Sequence, residues 1–295
     1  MSRHHPLDEQ VIVVTGASSG IGLATVLLAA ERGAKVVAIA RSGQVLEELA
    51  QTIAENGGQA LPIVADVADR EQLESAVQQT LAKFGRIDTW INNAGVAIYG
   101  LLQEVDEGDS RRLFDVNFWG VVNGSLLALP HLVASQGVLV NVGSEASEAV
   151  VPWQGMYSAS KHAVKGFTDG LRIEAEQIHR HPVSIVLIQP TAVDTPYPEH
   201  ARNYMSEEPK LPPPLIDAQR VADAILEAAV DGGRDVKVGA LASANIAMSR
   251  WMPRLADRLS AARGKTQQQK QPARRPEGTL YTAGESGRVQ GRPPA

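Results

Sequence analysis

VIVVTGASSGIG, residues Val11 to Gly22, is the stretch whose reading decides the fold. Its first five residues are apolar or β-branched without alternation, as a strand covered on both faces requires. Three glycines follow, each with its own task. Gly16 lets the chain turn tightly, Gly20 lets backbone approach a pyrophosphate, and Gly22 lets helix and strand pack closely. A helical pattern then runs through Glu31, and its N-terminus offers free N–H groups and a positive dipole end to phosphate. Strand, glycine-rich turn and helix in this order predict a dinucleotide site.

Outward from this unit the pattern repeats. Short apolar runs stand at Lys35–Ala40, Ala60–Asp66, Ile87–Asn93, Gly137–Val142, Val183–Pro190 and Asp235–Gly239. Between them lie segments apolar at helical spacing, such as Ser42–Asn56 and Asp69–Phe84, with Asp69 placed as an N-cap and Gly85 as a C-cap. Strands alternating with helices predict an α/β fold: a single doubly wound, Rossmann-type parallel sheet of seven strands, with helices on both faces. A C-terminal helix and a tail complete it, dividing the chain into a domain over 1–262 and a low-complexity tail over 263–295.

The bulk properties narrow the function. At 295 residues, with 44% apolar and 21% charged, the chain can bury a sizeable core. A net charge of −5 argues against nucleic acid as the partner. With no cysteine, disulfides, thiolate metal sites and cysteine nucleophiles are excluded. Residues Met1 to Gln10 are polar and unlike a signal peptide, and no window approaches the roughly 18 apolar residues of a bilayer span. A cytoplasmic protein is expected. The tail carries seven basic and two acidic residues, or +5, so the body of 21 basic and 31 acidic residues stands at −10. Either the tail folds back onto a protomer, with Leu280-Tyr281 as its apolar anchor, or it is disordered.

The second strand addresses the choice of dinucleotide. An NAD site usually ends this strand with Asp or Glu on the ribose 2′-OH; here that place is Ala40. Arg41 follows, and its guanidinium suits a 2′-phosphate through a bidentate, charge-assisted contact. NADP(H) is therefore preferred, with NAD(H) as the alternative, and Arg41 as a solvated loop charge is the bland reading.

With these residues in view, the chain resembles the short-chain dehydrogenase/reductase family in its compact single-domain branch, over about residues 10 to 240. The likeness rests on TGASSGIG at 15–22, Asp66-Val67, NNAG at 92–95, Asn117, Ser144, YSASK at 157–161 and PTAVDT at 190–195. It implies cofactor contacts from Thr15, Gly16, Ser18, Ser19, Gly20, Ile21 and Gly22. It implies that Asp66 bonds adenine with Val67 beside it, and that Asn93, Ala94 and Gly95 line the adenine ribose. Pro190, Val193 and Thr195 would meet the nicotinamide end, Thr195 at the carboxamide. The motif departs from the family where Pro190 is followed by Thr191 instead of glycine, and a β-branched residue there reshapes the nicotinamide pocket.

The implied catalytic set is Asn117, Ser144, Tyr157 and Lys161. Tyr157 and Lys161 are four apart on a helix and share a face. An ammonium beside the phenol is expected to lower its pKa from about 10 toward the working range. Tyr157 then exchanges the proton of a carbonyl or alcohol oxygen, which Ser144 orients at the carboxyl edge of the sheet. By the resemblance, Lys161 also binds the nicotinamide ribose and Asn117 anchors a water in a proton relay. Ser144 as a turn cap and Asn117 as a local backbone partner are the structural alternatives. Glu145, Ala146, Val151 and Trp153 are expected to wall the substrate, with Tyr197 and Tyr204 above. His162 reads as structural, and no histidine spacing suggests a metal.

The expected partner is a small carbonyl or alcohol compound, and a non-catalytic NADP-binding sensor or scaffold is the alternative. Thr195–Leu215, proline-rich and aperiodic, reads as a lid or binding loop. Ala240–Ala262 carries an apolar stripe that packs on the protein or, less favoured, lies on a membrane surface. The family habit is a homodimer or homotetramer through the YSASK helix and its predecessor, where Phe167, Leu171 and Ile178 would form the seam.

Overall fold

Strand β1 (Val11–Thr15) is buried at every position, and its side chains alternate between two cores. Ile12 and Val14 join one cluster with Leu23, Val26, Leu46 and Ile225; Val11 and Val13 join the other with Leu73, Val77, Leu113 and Leu132. Period-2 geometry sends neighbours to opposite faces. Because both faces are covered, the strand reads as an unbroken apolar run. The structure, a computed structural model, describes residues 4–284 and 287–292. Met1–Arg3, and residues 285, 286 and 293–295 of the tail, lie outside them.

The other strands of the sheet are β2 (Lys35–Ala40), β3 (Gln59–Val64), β4 (Thr89–Asn92), β5 (Val138–Val142), β6 (Ser184–Pro190) and β7 (Asp235–Val238). Their spatial order is β7-β6-β5-β4-β1-β2-β3, with every neighbouring pair parallel. The order reverses between β1 and β4, and such a switch opens a crevice at the carboxyl ends of the strands. Helix Gly20–Glu31 starts at that edge, and helix Gly155–Arg172 packs beside β6. The expected doubly wound sheet of seven strands is the observed one.

Several expectations need correction. Residues 107–135 form one helical run that is long and apolar enough, by length and composition, to cross a membrane. It nevertheless buries Val121, Val122, Ala128, Leu132 and the polar Asn117 inside the protein, as a core helix does. On helix Gly155–Arg172, Leu171 is buried and Phe167 meets Phe118 edge-on at 6.3 Å. Of the expected seam only Ile178 faces outward, because Phe167 and Leu171 lie on the helix side that covers the sheet. In helices Ala240–Trp251 and Pro253–Gly264, Ile246 packs inward while Trp251 is 78% exposed, with Met252 and Leu255 exposed beside it.

The lid segment has strands of its own: Arg202–Asn203 pairs with Ile98–Tyr99, and Glu207–Pro209 pairs with Gln268–Pro272 of the tail. The described part of the tail lies on the body. Leu280 is fully buried in the cluster of Leu73 and Leu113, and the Tyr281 hydroxyl donates to Asp109 at 2.9 Å.

Candidate active site

The glycine turn is built by close approach. Gly16 has φ +68°, and a Cβ there would lie 2.7 Å from the Ala94 Cα. A Cβ on Gly22 would meet the Gly16 carbonyl oxygen at 2.2 Å, so only glycine fits both places. The Asn93 amide ties the two motifs together, donating to the carbonyls of Thr15 (2.9 Å) and Gly16 (3.2 Å). The Thr15 hydroxyl accepts from the Asn93 and Ala94 N–H groups. Thus NNAG braces TGASSGIG, and the start of helix Gly20–Glu31 is left facing the crevice.

At the other end of the crevice, Ser144 follows β5 and caps the short turn Glu145–Ser147, its Oγ accepting from the Ala146 N–H at 3.1 Å. The capping alternative is thus observed, and it is compatible with a working hydroxyl, because the oxygen accepts and the proton stays available to donate. Tyr157 and Lys161 project from helix Gly155–Arg172. Asn117 sits on a π-type turn, Asp115–Trp119, a distortion frequent at functional sites. It accepts from the Val96 N–H (2.8 Å) and donates to the Val96 carbonyl (3.0 Å) and Ser160 Oγ (3.1 Å). Its side chain therefore braces the strand end beside Lys161 directly.

The expected lowering of the tyrosine pKa is not what this arrangement does. Lys161, buried, donates to the Val142 carbonyl at 2.8 Å, and its Nζ lies 5.8 Å from the centre of the Tyr157 ring. Burial raises the Tyr157 pKa, while contacts with the Ser144 and Tyr197 hydroxyls lower it and the Glu145 charge raises it. Burial also lowers Lys161 to about 8. Desolvation disfavours the charged form of each group.

At the end of the crevice beside Arg41 the side chains are already engaged. Arg41 donates to the carbonyls of Thr279 (2.6 Å) and Leu280 (3.3 Å) in the tail. It is therefore no solvated loop charge, and burial lowers its pKa. Asp66, expected at the adenine, pairs with Arg112 and accepts from the Ala68 N–H at 3.0 Å. Arg112 in turn donates to the Leu280 carbonyl at 3.2 Å.

One cavity joins the two ends. It is lined by Gly16, Ser18, Ser19, Gly20 and Ile21 of the turn, by Arg41, Asp66 and Val67, by Asn93, Ala94 and Gly95, and by Pro190, Val193 and Thr195. Ser144, Glu145, Val151, Tyr157 and Lys161 line its inner end. Thr15, Gly22 and Asn117 stand behind the wall as braces. Three expected wall residues do not reach it: Ala146, which is fully buried, Trp153 and Tyr204. Trp153 has a left-handed backbone (φ +61°) that turns its ring toward Gly264. Tyr204 bends away because its hydroxyl donates to Asp109 at 2.7 Å. Tyr197 does line the cavity, its ring 5.5 Å from that of Tyr157 and its hydroxyl donating to Gln154.

Thr191 packs on Gly239, where a Cβ would sit 2.5 Å from its Cγ2, so the departure from Pro-Gly is absorbed by a glycine on β7's far side. Gln154, His200, Leu211 and the tail residues Thr279, Ala283 and Gly284 are lining residues that sequence reasoning missed. Only Leu280, an isolated apolar residue in a polar tail, signalled the last three. Among the described residues no group of His, Asp or Glu is placed to hold a metal. A cradle that any Cβ would fill and a buried amine at its inner end fit a nicotinamide dinucleotide.

Residues 10–205 match the short chain dehydrogenase family. An uncharacterized oxidoreductase of Bacillus subtilis, YxnA, is 42% identical over 286 residues, covering 94% of this chain and 79% of that protein. A short-chain dehydrogenase/reductase from Burkholderia phymatum, solved with NAD, superposes with a TM-score of 0.76 at 26% identity, covering 85% of this chain and 96% of that one. An alcohol dehydrogenase from Thermococcus sibiricus, solved with 5-hydroxy-NADP, gives 0.68 at 25% identity, covering 78% and 94%.

Proposed function

The chain belongs to the short-chain dehydrogenase family, and from that premise we propose that it is an NADP(H)-dependent oxidoreductase that interconverts a carbonyl and an alcohol. The observation that carries this reading is the shared cavity, with Ser144 and Tyr157 at one end and Arg41 beyond the glycine turn at the other.

The glycine turn, Arg41, Asp66, Asn93–Gly95, Lys161, Val193 and Thr195 would hold the dinucleotide, which supplies or takes the hydride when bound. The remaining chemistry falls to the protein's own groups. Ser144 donates a hydrogen bond to the substrate oxygen and fixes it beside the Tyr157 hydroxyl. The Tyr157 phenol is the protonated group placed to give its proton to that oxygen as the carbonyl is reduced. Lys161, fixed on the Val142 carbonyl with its Nζ 5.8 Å from the centre of the Tyr157 ring, stands as a cation beside the proton donor. Wall residues Val151 and Tyr197 with Pro212 favour a ketone or alcohol carrying an apolar group. An intact Ser144, Tyr157 and Lys161 speaks against a scaffold that only binds the dinucleotide. The exposed apolar residues of the helices flanking Asn117 favour a homo-oligomer.

Fluorescence titration with NADPH and NADH tests the cofactor, and Tyr157→Phe tests the chemistry. NADPH is expected to bind more tightly, and Arg41→Ala to weaken it about tenfold or more, as loss of a charge-assisted bond does, with NADH little changed. Tyr157→Phe is expected to keep NADPH binding and to lose about 10²- to 10⁴-fold in turnover on a ketone panel. Tighter binding of NADH would reverse the cofactor assignment, and full activity of Tyr157→Phe would reject the proton donor.

A further inference from the structure

The tail crosses the adenosine half of the cavity as a strap, tied down along its length. At its entry Gly278 (φ +55°) lies so close to the lid that a Cβ would sit 2.4 Å from the Ala201 carbonyl oxygen. Leu280 then plunges into the core, fully buried. Its carbonyl and that of Thr279 receive two of the Arg41 N–H groups, and the Ser42 hydroxyl donates to the Gly284 carbonyl at 2.5 Å. Farther on, the Gly20 N–H of the glycine turn donates to the Arg288 carbonyl at 2.9 Å. The Arg288 guanidinium donates to Glu199 at 2.7 Å, and Glu199 also accepts from the Arg292 N–H.

Two features give this strap a direction of action. First, the cavity runs unbroken beneath it, lined on one side by Arg41, Ser42 and Asp66 and roofed by Thr279, Ala283 and Gly284. Residues 279–284 roof this half, whereas at the glycine turn the Arg288 carbonyl occupies the Gly20 N–H that a pyrophosphate would take. Second, a guanidinium has five N–H donors in a rigid planar fork. Anchoring two of them to backbone carbonyls sets the plane and aims the remaining donors. Arginine left free on the surface pays side-chain entropy to reach the same pose; here the strap has already done so.

We propose that residues 279–284 are part of the dinucleotide site: they close it over the adenosine half and hold Arg41 in position for a 2′-phosphate. The segment thereby sets both the release rate of the cofactor and the margin by which the phosphorylated form is preferred. This rests on the NADP(H) reading for its specificity part; the closure part holds for either dinucleotide. Entry and exit require the strap to lift, which breaks the Arg41 and Ser42 bonds together and withdraws Leu280 from the core.

The test compares the full chain, a chain ended after Ala273, which keeps the strand Gln268–Pro272, and a full-length Gly278→Val variant. The last displaces the strap by steric conflict while deleting nothing. Stopped-flow release of NADPH and of NADH is measured for each, with equilibrium affinities for both and thermal unfolding as the check on folding. Losing several bonds that must break together is expected to speed release about tenfold or more in both altered chains, and to shrink the NADPH-over-NADH affinity ratio. Unchanged release rates in folded altered chains would overturn the proposal. Tighter binding after truncation would also overturn it, because the strap would then be a competitor of the cofactor. If the full chain itself shows no preference for NADPH, the cofactor assignment fails, and faster NADH release on truncation still supports closure.

Discussion

At the scale of single residues, Lys161 is the group whose setting departs most from its ordinary behaviour. Its ammonium is buried against the Val142 carbonyl, and its folded pKa of about 8 lies below the ordinary 10.5. Between those values the unfolded chain holds a proton that the folded chain has released. Stability must therefore rise with pH across that window, by up to about 3 kcal/mol from this one group. Urea unfolding from about pH 7 to about pH 10 should show the rise in the native chain and its loss in Lys161→Met; parallel curves would mean that Lys161 stays charged in the fold. The pairing of Tyr157 with Lys161 was legible in the sequence because they stand four apart on one helix, a local relation. The engagement of Arg41 was not. Its partners are Thr279 and Leu280, more than two hundred positions away in a segment without periodicity. The desolvation of Tyr157 likewise depends on burial, which spacing does not reveal.

At the scale of elements, the ends of β6 and β7 depend on one another through Thr191 and Gly239. Gly239 has φ +102° and no room for a Cβ against the Thr191 methyl. Gly239→Ala should cost about 1–3 kcal/mol from overpacking, with backbone strain added. Combining it with Thr191→Gly should recover the steric part alone, so the double variant is less destabilised than the sum by roughly 0.5 kcal/mol or more. Denaturant unfolding of the four chains reads this coupling, and strict additivity would show that the contact is slack. The inner strands were legible because both faces of the sheet are covered there, which turns strands such as β1 and β6 into apolar runs. The same covering explains why helix 107–135 looks like a membrane span: a helix lying against a sheet needs an apolar side just as wide. What the sequence did not show was the pairing of Glu207–Pro209 with Gln268–Pro272, two polar segments joined by backbone bonds that side-chain patterning does not mark.

At the scale of the whole molecule, Trp119 and Leu126 lie seven apart on one helical run and are 52% and 43% exposed, while Ile173 and Ile178 at the end of the neighbouring helix are 51% and 66% exposed. Exposed apolar side chains on adjacent elements are what the proposed homo-oligomer would cover. Light scattering should show more than one copy in the native chain and a smaller species in a Trp119→Asp, Ile173→Asp double variant; a single-copy native protein would reject the surface as a seam. The strap has its own consequence at this scale. The chain has no cysteine, so a thiol introduced at the exposed Gln290 would be the molecule's sole labelling point. A dye placed there sits on the tail beside Asp217 and Gln219, and its emission would report each lifting of the strap.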